Sequence, residues 1–419
     1  MLRTELLEII ANGGNSGVEF KRDDCKAEQL AKEVVAMANF RGGLIILGVE
    51  DDGTISGIQR PNLEEWVMDT VFASKVHPMI LPFYEEIAME AGNRVAVISF
   101  AQGTSKPYVV RHHGREEIYI RVGSTSRRAT REQQARLFAS GGMLHPDTLP
   151  VAGSAIKSMD MKRLRDYLAN IINDPEVPKS ENEWIQRLIS LDLLVEAPER
   201  TPVCSIAGLV LFGLTPRRFL RQAGVRVLVF SGSDKSYQAQ LDEIIDGPLV
   251  GRWTGNKEGK RVLADRGIIE RFAETIPPFI SEEDESPDEH MRRSKQWHYP
   301  IEAVREVFIN ALAHRDWTRF VDIEVGCYSD RLEVISPGAM PNSMTVEKMI
   351  AGQRSPRNPI IVEVLRDYGY VDARGMGVRT KVIPLMRSHN KVDPVFKATD
   401  DYLKTTLPRR GRTLQGGRK

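Results

Sequence analysis

Apolar residues fall at Leu30, Val34, Val35 and Ala38, the spacing of one helical face over Glu28 to Asn39. Gly42 and Gly43 stop that pattern, and the branched run LIILGVE at 44–50 predicts a buried strand. Asp52-Gly53 predicts a hairpin turn with TISGI as the return strand. Further strands are expected at 94–100, 107–111 and 117–123, with His113-Gly114 turning between the last two. Residues 160–195 carry helical periodicity, and the apolar runs 201–213 and 225–232 predict strands of a second α/β region.

A third region opens at YPIEAVREVFINALAHRDW, 299–317. Pro300 suits the first turn of a helix, and Ile301, Val304, Phe308, Ala311 and Leu312 form its apolar stripe. Glu306 and Asn310 are i,i+4 neighbours on the opposite side. Strands follow at 322–328 and 331–338, joined by Ser329-Asp330. A long Pro- and Gly-rich connection with SPRNP leads to Arg374-Gly-Met-Gly-Val378 and a last helix, GVRTKVIPLM.

The chain has 419 residues, room for two or three domains at ~150 residues each. Gly141 to Lys157, with Pro146 and Pro150, reads as a linker, and SEEDESPDEHMRRSKQW at 281–297 as a charged boundary. The expected class is α+β. An α/β domain spans 1–140, a middle α/β region 150–290, a helix-on-sheet domain 291–407, and a disordered basic tail 408–419.

Lys plus Arg number 58 against 57 Asp plus Glu, a net charge of +1 that argues against a wholly basic or wholly acidic chain. Three dispersed cysteines without a CxxC argue against a disulfide framework or zinc ribbon and fit a reducing cytoplasm. No window approaches ~18 uninterrupted apolar residues, and acidic residues break the N-terminal pattern, so neither membrane span nor signal peptide is expected.

Candidate chemistry concentrates at the two ends. Near the N-terminus, GVEFKR at 17–22 is followed by the Asn39 to Gly43 turn, the strand ending in Glu50, Asp51 and Asp52, and IYIRVGSTSRRATREQ at 118–133. These four ordered landmarks resemble the Schlafen AlbA-type domain over roughly residues 10–140, and the resemblance implies nucleic-acid contact, to DNA or RNA. Between 106 and 136 there are eight Lys or Arg and three Glu. Arg121, Arg127, Arg128 and Arg131 flank a Gly-Ser-Thr-Ser turn, with Lys21 and Arg22 as further candidates, and guanidinium forks suit phosphate oxygens. In 1–140 as a whole Lys and Arg number 17 against 19 Asp and Glu, so the positive charge is confined to one edge.

Schlafen relatives that cleave RNA use three acidic residues. Glu19 and Asp51 match two of these positions as candidate metal-holding catalytic carboxylates. The first acid is missing, since that neighbourhood reads Asn12-Gly-Gly-Asn-Ser16. Binding is therefore expected ahead of cleavage, with a metal-dependent endoribonuclease as the alternative.

The C-terminal order is a helix with ExxxN, a hairpin, a glycine turn, a lid-like loop, GxG and a helix. It resembles the GHKL ATPase fold of gyrase, histidine kinases and MutL, and more closely the divergent RecG C-terminal-like ATP-binding domain. By that resemblance Asn310 coordinates Mg²⁺ on the phosphates of ATP, and Glu306 orients or deprotonates the attacking water. Gly375 and Gly377 admit phosphate to a helix N-terminus, and Gly338 turns under the adenine. GHKL proteins carry an Asp in that turn. Here it reads Ser336-Pro-Gly-Ala-Met340, leaving Ser336 as the candidate acceptor. No GxxxxGK[ST] occurs, so no P-loop motor is expected.

The combined expectation is a cytoplasmic nucleic-acid-binding regulator or defence-associated protein whose ATP-binding domain controls conformation or assembly. Homo-oligomerisation is implied by the pairing of GHKL domains. A catalytically inactive scaffold is the remaining alternative.

Overall fold

The computed structural model describes residues 1–89, 92–103, 105–112, 114–141, 145–197, 200–255, 261–283, 295–341, 344–372 and 376–409. The chain divides into two compact units, Met1–Leu144 and His145–Lys419.

In the first unit, helix α1 (Arg3–Asn12) precedes strand β1 (Val18–Lys21), helix α2 (Ala27–Ala38) and strand β2 (Gly42–Leu47). β1 and β2 pair in parallel, with Glu19 opposite Ile45, and α2 supplies the crossover that parallel strands require. Strands β3 (Phe83–Ala88) and β4 (Arg94–Ala101) complete a sheet of order β1-β2-β4-β3. Alternation along β2 sends Ile45 and Leu47 to a core with Leu30, Val34 and Val35, and Ile46 to a second core with Leu6, Ile10 and Phe20. The expected return strand TISGI is reduced to a single bridge, Val49 with Ile55. The expected strand 117–123 is instead followed by a partner, β5 (Tyr119–Val122) pairing antiparallel with β6 (Thr125–Arg128).

The second unit holds one reversal of expectation. The run 201–213, expected as a strand, is a strand only through Cys204, and Ile206–Phe212 form helix α3. Ser205 Oγ accepts a hydrogen bond from the Gly208 N–H at 3.0 Å and caps the helix. Every residue of α3 is buried, so the helix is apolar all round and its sequence shows no amphipathic stripe.

Strands β7 (Gly224–Val229), β8 (Leu241–Asp246), β9 (Ile323–Cys327), β10 (Arg331–Pro337), β11 (Val395–Ala398) and β12 (Tyr402–Pro408) form a six-stranded sheet. Its order is β8-β7-β9-β10-β12-β11, so the regions expected separately as 150–290 and 291–407 share one sheet. One face carries Val225, Val227, Val229, Ile323, Val325, Cys327, Leu332, Val334 and Leu407, all buried. Helix α4 (Ile301–His314) contributes Val304, Phe308, Ala311 and Leu312 to the same core, and Phe308 stacks on Phe272 at 3.7 Å between ring centroids. Ile301, expected on this stripe, is 46% exposed at the first turn.

Helix α5 (Pro359–Asp367) follows SPRNP, and helix α6 (Ile383–His389) is preceded by a wide turn, Val378–Val382. Of the tail expected from 408, Pro408 closes β12 and the Arg409 N–H donates to Asp330 O at 2.7 Å; residues 410–419 lie outside the described residues.

Ser205→Ala removes a buried cap and is expected to destabilise the second unit by about 1 kcal/mol. Thermal unfolding followed by circular dichroism should show its midpoint fall by about 2–4 °C.

Candidate nucleotide pocket and basic hairpin

Helix α4 and the inner face of β10 and β12 wall a pocket of 350 Å³ in the second unit. Glu306, Asn310, Ser336, Gly338 and Gly377 all line it, so the structure brings together five residues singled out in the C-terminal sequence. Gly375 lies outside the described residues.

Glu306 and Asn310 project from α4 one turn apart, and Asn310 Nδ2 donates to Glu306 Oε1 at 3.2 Å. That bond uses the amide nitrogen and leaves Asn310 Oδ1, a hard oxygen of the kind Mg²⁺ takes, as the free end of the amide. Burial raises the Glu306 carboxyl above the usual carboxylate range, against the hydrogen bond from Asn310 and the charges of Lys381 and Arg305. A side chain at position 377 would collide with the Glu306 carboxylate, so glycine there permits the chain before Val378 to approach this end of the pocket. The donor set therefore fits Mg²⁺: one amide oxygen and one carboxylate, with the backbone of Gly377 against the carboxylate.

Gly338 has φ +110°, in the region that favours glycine, and its N–H donates to Asp401 O at 2.7 Å. A Cβ there would strike Asp316 and the Arg357 guanidinium. Behind this turn Arg357 pairs with Asp316 at 3.6 Å and donates to Ala339 O. Asn358 Nδ2 donates to the carbonyls of Ala313 and Arg315, both at 2.9 Å, satisfying acceptors that the end of α4 leaves unpaired. The RNP segment thus braces both the glycine turn and α4. His314 also lines the pocket, as do Thr405, Phe396 and Leu403 from β12 and β11. Thr405 was not among the expected site residues, although strand alternation in YLKTTLP sets it with Leu403 and Leu407 on one face.

In the first unit the predicted contacts separate into two groups. Arg121 departs from the expected phosphate contact: its side chain is only 1% exposed. Its guanidinium donates to Glu19 Oε2 at 2.6 Å, Glu33 Oε2 at 2.9 Å and Asn15 O at 2.9 Å. Lys21 is committed to Glu19; burial pulls its ammonium down, but Glu19, Glu33 and Asp51 outweigh it and hold the pKa up. Arg22 is exposed and pairs with Asp24 at 3.1 Å. The second group is open: Arg127 and Arg128 sit exposed on the β5–β6 hairpin, and Arg131 is exposed at the start of the helix Arg131–Ser140. Arg128 is 69% exposed and lies 3.3 Å from Glu117.

Glu19 is held by Arg121 and Lys21, whereas Asp51 is exposed in the turn after β2. Among the described residues no three His, Cys, Asp or Glu side chains gather as a metal site. No helix among them is long and apolar enough to cross a membrane.

Two family models match the chain. One described as "Schlafen, AlbA_2" covers residues 15–130, and one described as "Putative ATP-dependent DNA helicase recG C-terminal" covers residues 321–407. The second match begins after α4, so Glu306 and Asn310 precede it. Among solved structures the chain is similar to the DIP2311 protein from Corynebacterium diphtheriae, at 20% identity over 98% of this chain and 80% of that chain, with TM-score 0.44. It is also similar to the N-terminal domain of a "Putative ATP-dependent DNA Helicase RecG-related Protein" from Nitrosomonas europaea, at 23% identity over 30% of this chain and 92% of that chain, with TM-score 0.24. No curated protein matches it. The chain carries a Schlafen AlbA_2 domain near its N-terminus and a recG C-terminal-type HATPase domain near its C-terminus.

Arg121→Ala strands two carboxylates and is expected to cost about 3–5 kcal/mol. Arg127→Ala, at an exposed position, should stay within about 0.5 kcal/mol of the parent chain. Urea denaturation of the two variants distinguishes the buried tie from the open face.

Proposed function

We propose that this chain is a nucleic-acid-binding regulator whose second unit binds Mg-ATP and uses it to control conformation or assembly. The observation that carries the reading is the meeting of Glu306, Asn310 and Gly377 at one end of an otherwise largely apolar pocket. The polar end suits the charged phosphates, and the apolar remainder suits a flat base.

When bound, Mg²⁺ neutralises charge on the phosphates. Asn310 would hold it through its amide oxygen. Glu306, with its carboxyl raised by burial, is a stronger base than an exposed glutamate and takes the proton of an attacking water. Gly377, which lets the chain pass against Glu306, opens the turn Val378–Val382, whose first N–H groups would be the backbone donors to phosphate oxygens.

In the first unit, Arg127, Arg128 and Arg131 are the phosphate-facing groups. Their contacts set position along a nucleic acid and carry no sequence information themselves. The ion pairs of Glu19 with Arg121 and Lys21 favour a structural role for that carboxylate over metal ligation.

Isothermal titration with Mg-ATP is expected to give saturable heat for the parent chain and weaker binding for Asn310→Ala. Glu306→Gln should retain binding and lose phosphate release. No heat with ATP or ADP removes the nucleotide reading.

For the nucleic-acid reading, the Arg127→Ala, Arg128→Ala double variant should weaken binding to a DNA or RNA oligonucleotide. The slope of log K against log salt should fall by about one per arginine removed. An unchanged slope excludes this hairpin as the contact.

A further inference from the structure

Four segments of the second unit meet at another cavity, also of 350 Å³. One wall is the stretch after α3, from Gly213 to Arg218, and another is the start of the helix Met161–Asp166. The turn from Asp246 to Pro248 at the end of β8 and the pair Asp265-Arg266 complete it. Backbone hydrogen bonds join these segments. The Asp160 N–H donates to Phe212 O at 2.7 Å, Leu249 N–H to Val210 O at 2.7 Å, and Ile268 N–H to Pro248 O at 2.8 Å. The fold itself therefore sets the shape of the cavity, so a ligand has little left to order.

Five arginines and three aspartates line it. Two of the arginines are braces. Arg163, its side chain 2% exposed, donates to Val250 O at 2.7 Å and to Asp265 Oδ2 at 2.6 Å. Its Nε makes no hydrogen bond, although Asp160 Oδ2 lies 3.4 Å away. Arg217 is committed to Asp322 through two parallel bonds of 2.8 and 2.9 Å. The other three retain donors. Arg218 is exposed, and its guanidinium has no hydrogen bond or ion pair among the described residues. Arg266 is engaged through Nε alone, with Glu274 at 2.7 Å. Arg271 is engaged through Nη1 alone, with Asp246 O at 3.1 Å. On the acceptor side, the Asp246 carboxylate is 56% exposed, stands 4.0 Å from Arg271, and accepts no hydrogen bond among the described residues.

We propose that this cavity binds a small phosphorylated polyol of sugar-phosphate size, at a site separate from the nucleotide pocket and independent of the nucleotide reading. Donors from three separate arginines suit the three oxygens of a phosphomonoester. One guanidinium fork already satisfies the two coplanar oxygens of a carboxylate. With Asp322 and Glu274 counted, the five arginines meet five carboxylates, so net charge does not fill the site. Recognition rests instead on the N–H groups left over and on Asp246, which accepts from a ligand hydroxyl. The volume is that of a small-molecule site and leaves room for the polyol beside the phosphate.

Isothermal titration of the full chain, without Mg²⁺ and in about 0.15 M chloride, tests this with three probes: ribose 5-phosphate, inorganic phosphate and gluconate. Gluconate keeps the hydroxyls and carries a carboxylate in place of the phosphate. Ribose 5-phosphate is expected to bind saturably, and the other two at least about tenfold more weakly. Arg218→Ala, at an exposed and unpaired position that leaves the fold intact, should weaken ribose 5-phosphate by about tenfold. Asp246→Ala should bring ribose 5-phosphate and inorganic phosphate to within about threefold of one another, because the hydroxyl loses its acceptor while repulsion of the phosphate falls. Asn310→Ala, in the other cavity, should leave ribose 5-phosphate binding unchanged. No saturable binding of ribose 5-phosphate overturns the proposal, as does equal affinity for inorganic phosphate or gluconate. Binding that is insensitive to Arg218→Ala, or an advantage over inorganic phosphate that survives Asp246→Ala, also overturns it. Loss of binding in Asn310→Ala assigns the ligand to the nucleotide pocket and overturns it as well.

Discussion

A sheet face must be covered, and in the second unit α4 is the cover. Val225, Val227, Val229, Ile323, Val325, Leu332 and Val334 present one continuous apolar surface, which water disfavours. The stripe of Val304, Phe308, Ala311 and Leu312 packs into the same core. The pocket occupies the region beside Ala311, where the face continues into Ser336, Leu403 and Thr405. A helix that covers the sheet thereby carries Glu306 and Asn310 on its pocket side. Packing and chemistry use different faces of one element.

The second dependence is the anchoring of turns by buried polar groups. Arg357 and Asp316 lie against Gly338, and Asn358 takes the last carbonyls of α4. Burying a guanidinium or an amide is unfavourable unless its hydrogen bonds are made, so these contacts constrain the turn and helix end they join. In the first unit Arg121 plays the corresponding part. It ties β5 to Glu19 on β1 and Glu33 on α2, and so fixes the hairpin whose outer edge carries Arg127 and Arg128. Arg121 and Arg127, on one hairpin, thus have opposite fates, one structural and one available to a ligand.

Much of the fold and of the pocket is legible in the order of residues. The period of α2, the apolar run of β2, and the helix–hairpin order from Tyr299 follow from spacing alone, and they place Glu306 and Asn310 together without ambiguity. The departures share a cause. In α3 a helix buried on every side loses its amphipathic signature, and only Ser205 marks its start. For Arg121, charge and a nearby Gly-Ser-Thr-Ser turn suggest a phosphate contact, but the partners Glu19 and Glu33 lie 102 and 88 residues away in the chain. Local sequence does not report a long-range partner.

The sequence by itself determined which residues sit on one face of one helix or strand, because the periods of 3.6 and 2 are properties of the backbone. It therefore set the pairing of Glu306 with Asn310, and of Leu403 with Thr405 and Leu407. Tertiary structure decided what those faces meet. It put Gly377 against Glu306, Ala311 O against the Ser336 hydroxyl, and two carboxylates around Arg121. The physical reason is that burial, proton commitment and ion pairing depend on groups distant in the chain, and these settle whether a polar side chain is a brace or a site.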